Sequence, residues 1–445
     1  MQSCIPLYKL VQCIAHWVNT DKPSKHPKNV TEIHQVDIKN AYLNGEFEEG
    51  EVIYMKLPPG LNLTSRPNQV LRLLRPLYGL KQSARHWYTR LTGALSTHLG
   101  MARCDVNQAV FYCRSGTEQI TICVHVDDLT IMTLSVELME EVKTGLKKEF
   151  KISDMGEIHW ILRFAVKRDR ENHTISLSQA SYIRSILQRY GFDALKPVST
   201  PMNPNAKLSS TDAPKTAQDF AFMSTKPYRE TVGSANYASL GTRFDLTHVM
   251  GILSRYLENP GPAHWGAVKW AFAYLNGSVD LELMYGREVQ GLTGYTDADG
   301  SVNEDCKAIS GYAFLINGGA VSWSSKKQEI IALSTTEAEY VAATHAVKEA
   351  LWLRTFVGQV FGGLAGPTTL HSDNQSAIAL TKDQQFHART KHIDIRFHFI
   401  RWVIEEGHIK LVYCPTEEMV ADTLTKALPS MKAKHFASAL GLARA

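Results

Sequence analysis

Seven acidic residues, in two groups, are the side chains of this sequence best placed for chemistry. Asp37, Asp127 and Asp128 stand near the front, and Asp297, Glu339, Asp373 and Asp422 are spread over the last third. Each group has surroundings suited to two-metal phosphoryl chemistry. There, carboxylates hold divalent cations ~3.5–4 Å apart, and the cations clamp the attacking and leaving oxygens. Asp127 and Asp128 are adjacent, and two such charges repel by roughly 4 kcal/mol at ~4 Å and an effective dielectric of about 20. A divalent cation removes that repulsion, and hard oxygen ligands suit Mg²⁺, with Mn²⁺ as a substitute. Taken alone, the Asp pair reads as a solvated turn. Asp37, at the end of another strand, changes the balance.

The elements that must position these groups are legible from periodicity. Ile120 to Val126 alternates, reaches Asp127-Asp128 and resumes at Leu129, which predicts a β-hairpin with the acids at its turn. Asp37 follows the strand-like run Ile33 to Val36. Tyr42, soon after it, could close the floor under a bound sugar, although from spacing alone it reads as a core aromatic. In the last third, Leu292 to Asp297 and Thr368 to Asp373 read as strands that each end in an acid. Gly311–Ile316 and Ala320–Ser324 form a hairpin through Asn317-Gly318-Gly319. Ser334 opens a long helix carrying Glu337 and Glu339 through Leu351 and Trp352, and Val420 to Lys426 reads as the start of a last helix. Acids on two strand ends and two helices can converge into one cage.

Elsewhere the sequence is less informative. A helix from Gln82 to Leu95 carries Arg85 and Arg90 just after Lys81, with Trp87 and Tyr88 among them. The aromatics have core spacing, so only the cations are assigned to a nucleic-acid surface. Leu138, Val142, Leu146 and Phe150 form an apolar stripe whose Lys143, Lys147 and Lys148 read as its solvated face. Residues 197–214, with four prolines, read as a linker. Residues 225–288 read as mainly helical, with Trp265, Val268, Phe272 and Leu275 at helical spacing. Thr20 to Thr31 reads as an exposed loop, and Met1 to Leu10 lacks a secretory signal.

A length of 445 residues suits two or three domains, and 44% apolar with 21% charged residues is ordinary for a globular chain. There is no apolar run of membrane-spanning length, so no membrane partner is expected. The seven scattered cysteines never form CxxC, which argues against structural zinc. A net charge of +4 permits nucleic-acid binding without establishing it.

Long ordered segments carry a resemblance. Gln35-Val-Asp-Ile-Lys-Asn-Ala-Tyr-Leu-Asn-Gly45, Val52 to Gly60, Leu77-Tyr-Gly-Leu-Lys-Gln-Ser-Ala-Arg-His-Trp-Tyr88 and Val124-His-Val-Asp-Asp128 closely resemble the polymerase of copia-type LTR retrotransposons. Ser322 to Gln328, Ser372-Asp-Asn374, Thr390 to Asp394 and Ala421-Asp422 resemble the ribonuclease H (RNase H) domain of the same elements. The resemblance spans about residues 33 to 428. It implies that Asp37, Asp127 and Asp128 bind the polymerase metals and that Tyr42 is the steric gate against a ribose 2′-OH. It also implies that Gly79, Lys81, Gln82 and Arg85 help position template and nucleotide. Asp297, Glu339, Asp373 and Asp422 would hold the nuclease metals. Glu339 is preferred over Glu337 because small residues, Ala342 and Ala343, follow it at the spacing of the family's helix. Asp299 and Asp394 are left as structural or solvated acids.

The implied fold is an α+β right-hand polymerase followed by an α/β RNase H-like domain. Residues 1–165 would be a palm with truncated fingers, since 36 residues precede Asp37 where relatives carry more. Residues 166–288 would be a thumb and connection, and 289–445 the RNase H-like domain. Two departures stand out: Arg163 where the family has glycine, so that close backbone packing should be disturbed, and Phe244 where it usually has proline. The implied function is RNA-directed DNA synthesis with hybrid-directed RNA cleavage, two Mg²⁺ at each site. The implied partners are an RNA template, a DNA primer, RNA–DNA hybrid and dNTPs, with element-encoded integrase or capsid proteins as candidates. A cytoplasmic virus-like particle is the expected location, with the nucleus as alternative, and the oligomeric state is open. Nothing resembles a capsid, protease or integrase, so the chain is expected to be the last module of a polyprotein. One alternative is a decayed or host-retained copy keeping only nuclease or nucleic-acid binding. The other, a phosphatase-like two-metal enzyme, leaves the Tyr78 to Tyr88 segment unexplained.

Overall fold

In the first third of the chain apolar residues alternate, and there the computed structural model builds an antiparallel sheet. It describes residues 31–59, 69–116, 118–286, 291–300, 305–364, 366–382 and 394–444. The readings of Met1 to Leu10 and Thr20 to Val30, the marker residues 390–393 and the side chain of Asp394 lie outside that description. The chain divides at Ile158/His159 into two units.

The first unit holds β1 (Glu32–Ile38), a 3₁₀ turn at Ala41–Asn44, the ribbon of β2 (Tyr54–Lys56) and β3 (Val70–Arg72), and α1 (Ser83–Gly93). Then come β4 (Ala102–Arg103), β5 (Val110–Ser115), β6 (Glu118–His125), β7 (Asp128–Thr133), α2 (Val136–Glu149) and β8 (Ile152–Glu157). The main sheet runs β4-β5-β6-β7-β1-β8. Val36, Ile38, Ile122 and Ile131 from the strands pack with Trp87 and Leu91 of α1 and with Val142 and Leu146 of α2 in one core. Burying that apolar face is what sets the strand register. Lys143 departs from its expected solvated face. It is buried, with its ammonium 2.9 Å from Asp154 Oδ2 and 2.8 Å from His34 Nδ1. A buried ammonium needs such partners. Arg90, assigned to a nucleic-acid surface, instead donates to Glu149 at 2.9 Å and lies over the Phe150 ring.

The second unit begins with β9 (Trp160–Ile161), β10 (Phe164–Asp169), β11 (Thr174–Ser178) and α3 (Ala180–Tyr190). It continues through α4 (Ala217–Ser224), α5 (Tyr228–Gly241), α6 (Thr247–Leu253), α7 (Pro262–Gly277) and β12 (Leu281–Tyr285). The expected stripe of α7 is buried among the helices, against Phe192, Val232 and Leu246. Residues 197–214 do not hang free: Trp270 Nε1 donates to Thr200 O at 2.9 Å, and Thr200 and Met202 are buried. Arg243 is fully buried and forks onto both oxygens of Asp245, whose Oδ2 also accepts from Tyr274.

The remainder carries β13 (Thr293–Asp299), β14 (Ile309–Ile316), β15 (Gly319–Lys327) and α8 (Thr335–Phe361). After these come β16 (Thr368–Ser372), α9 (Gln375–Lys382), α10 (Asp394–Glu405), β17 (Ile409–Tyr413), α11 (Ser430–Ala439) and β18 (Leu442–Arg444). Its sheet runs β15-β14-β13-β16-β17, antiparallel among the first three and parallel from β13 to β17. The predicted hairpin turns at Asn317 and Gly318, both at positive φ. The expected helix at Val420 is only a 3₁₀ turn, Val420–Leu424. The next helix, α11, starts just after Pro429. The C-terminal β18 pairs with β12, so one five-stranded sheet, β18-β12-β11-β10-β9, takes strands from both ends of this unit. The polypeptide is thus mixed α/β, with an antiparallel six-stranded sheet in the first unit and two further five-stranded sheets in the second. Among the described residues no helix is long and apolar enough to cross a membrane.

Candidate active sites

In the front unit, Asp37 on β1 stands directly opposite Asp128 on β7, and Asp127 sits in the turn between β6 and β7. The Ile38 N–H donates to Asp127 O at 2.9 Å and holds that turn against β1. Val126, the other turn residue, has φ +59, a costly region for a β-branched side chain. Trp87 Nε1 donates to Val126 O at 2.6 Å and pins it. Burial pushes the Asp128 carboxyl above its ordinary range, and the Asp127 and Asp37 charges add to that shift, while a hydrogen bond from Gln35 opposes it. Gln35 Nε2 lies 3.3 Å from Asp128 Oδ1.

Tyr42 lies in the 3₁₀ turn after β1, its ring against Tyr78 with centroids 4.5 Å apart. With Ala84, Trp87, Tyr88, Val124 and Val126 it lines a cavity of about 160 Å³. Gly79 has φ +98, which accounts for glycine there. Lys81 is exposed. Gln82 donates to Glu51 at 3.1 Å and Arg85 to Glu48 at 2.8 Å, so both are held by acids of the preceding loop.

The rear acids gather more tightly. Asp297 near the end of β13, Glu339 in the second turn of α8 and Asp373 just after β16 bring ligand oxygens within 4.8 Å of one another. Among the described residues no other group does so. Burial raises the Asp297 carboxyl to about 7, opposed by the Lys426 charge and reinforced by that of Asp422. Burial raises Glu339 to about 9, and the charges of Asp297 and Asp373 add to it. Glu339, whose carboxylate belongs to this cluster, has its Oε2 buried without a hydrogen-bond partner. A buried, mutually repelling set of carboxylates with an unmatched oxygen fits a hard divalent cation.

Asp422 is brought to the same place but is engaged by cations, Lys426 Nζ at 2.9 Å and Lys432 Nζ at 2.8 Å. Gly311 makes this approach feasible. It lies opposite Asp297 on β14, and a Cβ there would sit 2.7 Å from Thr425 Cγ2 and 3.0 Å from Leu424 Cβ. Thr425 Oγ1 donates to Asp297 Oδ2, and Thr416 Oγ1 donates to Asp373 Oδ2 at 2.8 Å. Glu337 does not join the cluster, since its Oε2 accepts from Leu333 N at 2.8 Å at the head of α8. Gln35, Gly311, Thr416, Thr425, Lys426 and Lys432 escaped the sequence reading. Lys426 carried a signal, four residues after Asp422; Lys432, on another element, carried none.

Two carboxylate constellations stand on these sheets, and the family described as reverse transcriptase (RNA-dependent DNA polymerase) matches residues 27–204. The chain is similar to retrovirus-related Pol polyproteins of plant transposons. It is 40% identical over 402 residues to the retrovirus-related Pol polyprotein from transposon TNT 1-94 of Nicotiana tabacum, across 90% of this chain and 30% of that protein. It is 34% identical over 415 residues to the corresponding polyprotein from transposon RE1 of Arabidopsis thaliana, across 93% of this chain and 27% of that one. The chain therefore spans under a third of these curated relatives. The solved structure of the foamy viral protease-reverse transcriptase in complex with dsDNA aligns with 86% of this chain and 68% of its own, at 14% identity and TM-score 0.46.

Proposed function

We propose that the chain is an RNA-directed DNA polymerase that also cleaves the RNA of an RNA–DNA hybrid, with a separate two-metal site for each reaction. Residues 31–158 act as palm with part of the fingers, 159–286 as thumb and connection, and 291–444 as the nuclease domain. The observation carrying this reading is the pair of carboxylate sets, Asp37, Asp127 and Asp128 around one hairpin and Asp297, Glu339 and Asp373 within 4.8 Å at the other site. Bound divalent cations, Mg²⁺ or Mn²⁺, would activate the attacking oxygen and neutralise charge on the leaving oxygen.

The chain's own residues do the rest. The hairpin turn, pinned by Trp87, keeps Asp127 and Asp128 beside Asp37. Tyr42, braced by Tyr78, would be the steric gate against a ribose 2′-OH. Gly79, Lys81, Gln82 and Arg85 position template and dNTP, the latter two after exchanging Glu51 and Glu48 for the substrate. At the rear, Thr425 and Thr416 fix the orientations of Asp297 and Asp373.

The test is to incubate the purified chain with Mg²⁺, dNTPs and a primed, end-labelled RNA, following primer and RNA lengths together. Both should change. Asp127→Asn should abolish extension alone and Asp373→Asn cleavage alone; a variant that removes both equally would sink the two-site reading. A nuclease-only reading is favoured by the tighter gathering of the rear acids, and RNA loss without extension would select it.

A further inference from the structure

Lys426 occupies an unusual place for a lysine. Its ammonium lies 2.9 Å from Asp422 Oδ1 and 3.6 Å from Asp297 Oδ2, two carboxylates that are each 1% exposed. Lys432 closes on the other oxygen of Asp422 at 2.8 Å. Asp422 is the one acid of the four that does not share the close contact joining Asp297, Glu339 and Asp373. The rear cage thus has two halves. Each half has a buried oxygen without a hydrogen bond, Glu339 Oε2 in one and Asp422 Oδ1 in the other, but only the half between Asp297 and Asp422 already holds a cation, Lys426.

We propose that Lys426 is a built-in cation that keeps the Asp297–Asp422 half closed to a divalent ion until a phosphodiester arrives, so that the substrate-free chain takes a single divalent ion at the rear site. This rests on the rear site being a metal site. Without Lys426 the buried Asp422 Oδ1 would lose its charge partner, and Lys432 alone would face the carboxylate, at Oδ2. An ammonium at these distances supplies the missing charge, but it also repels a divalent ion entering beside it. An arriving phosphate offers the ammonium another anion and lets Asp422 turn to a metal. Lys426 can swing towards solvent, because its side chain is about a third exposed; the cavity it lines with Asp245, His248 and Tyr274, about 20 Å³, is too small to receive it. Lys432 keeps the other Asp422 oxygen in place meanwhile. Lys426 is therefore a positioning residue, and metal loading becomes tied to the presence of substrate.

The experiment counts bound Mn²⁺ by the electron paramagnetic resonance of the free ion. It uses the full chain with Asp127→Asn and Asp128→Asn, which silence the front carboxylates. With Lys426 present, one ion should bind tightly and a second roughly tenfold or more weakly. Lys426→Met, or Lys426→Gln if the first variant does not fold, should raise the affinity for the second ion about tenfold. Two ions binding alike with Lys426 present, or unchanged binding after its removal, would overturn the proposal. Absence of Mn²⁺ binding in every form would overturn the metal reading on which it rests. A measurement free of any change at Lys426 adds an RNA–DNA hybrid with a 2′-O-methyl RNA strand, which resists cleavage. The tight count should rise from one to two, and a count that stays at one counts against the gate.

Discussion

Glu337 and Glu339 leave α8 in directions roughly 200° apart, and their surroundings separate their tasks. Glu337 accepts a backbone hydrogen bond at the helix start, where Ser334 Oγ also accepts from Glu337 N at 3.1 Å. Glu339 points to Asp297 and Asp373. Glu337→Ala should therefore cost about 1 kcal/mol of stability, seen as a lower urea midpoint, and leave RNA cleavage near normal. Glu339→Gln should cut cleavage on the order of a hundredfold with the midpoint held, since the metal-free carboxyl, raised to about 9, is already neutral and glutamine has its shape. The reverse pattern would mean that the two glutamates have been assigned to the wrong tasks. This choice was readable beforehand because both acids lie on one regular helix. The engagement of Asp422 by Lys432 was not, because it joins a 3₁₀ turn to a different helix.

At the scale of elements, the turn at Leu162-Arg163 shows sequence reading reaching a sound suspicion for the wrong reason. Arg163 was expected to obstruct close backbone packing, yet its side chain is exposed. The cost lies in the backbone instead: Leu162 and Arg163 have φ +48 and +68 in a two-residue turn joining β9 to β10. Both positions of such a turn favour residues that tolerate positive φ, glycine above all. Arg163→Gly should therefore stabilise the chain by about 0.5–1 kcal/mol, the left-handed backbone cost less glycine's greater loss of entropy, read as a higher denaturation midpoint. An unchanged or lower midpoint would show that the turn is not strained. Phe244 is a comparable case. It is fully buried and meets Trp323 edge-on at 5.8 Å, an apolar contact that a proline ring would supply less fully.

For the second unit as a whole, packing decides what its ionisable groups can do. His248 on α6 is buried, and desolvation lowers it to about 4, with the Arg255 charge adding to that shift. Asp299 and a hydrogen bond to the Leu424 backbone, from the far end of the sequence, oppose it. Between about pH 4 and the ordinary 6.5 the unfolded chain binds a proton that the folded chain refuses. The neutral imidazole's contribution, on the order of 3 kcal/mol at most, is thus present above pH 6.5 and lost as pH falls towards 4. Urea unfolding from pH 7.5 down to 4.5 should show this decline, and His248→Gln should flatten it; equal slopes in both chains would remove His248 from the account. By itself the sequence determined the strand-borne acids, the Asp127-Asp128 hairpin, the Asn317-Gly318 turn, the long helix behind Ser334 and the division into two kinds of sheet. Those features depend on periodicity and turn chemistry, which are local. Only the tertiary structure decided that β18 joins β12, that Lys143 and Arg90 belong to the fold, that residues 197–214 pack rather than link, and that two lysines hold Asp422. Each of these is a pairing between distant residues, and local sequence carries no term for the burial and charge compensation that select them.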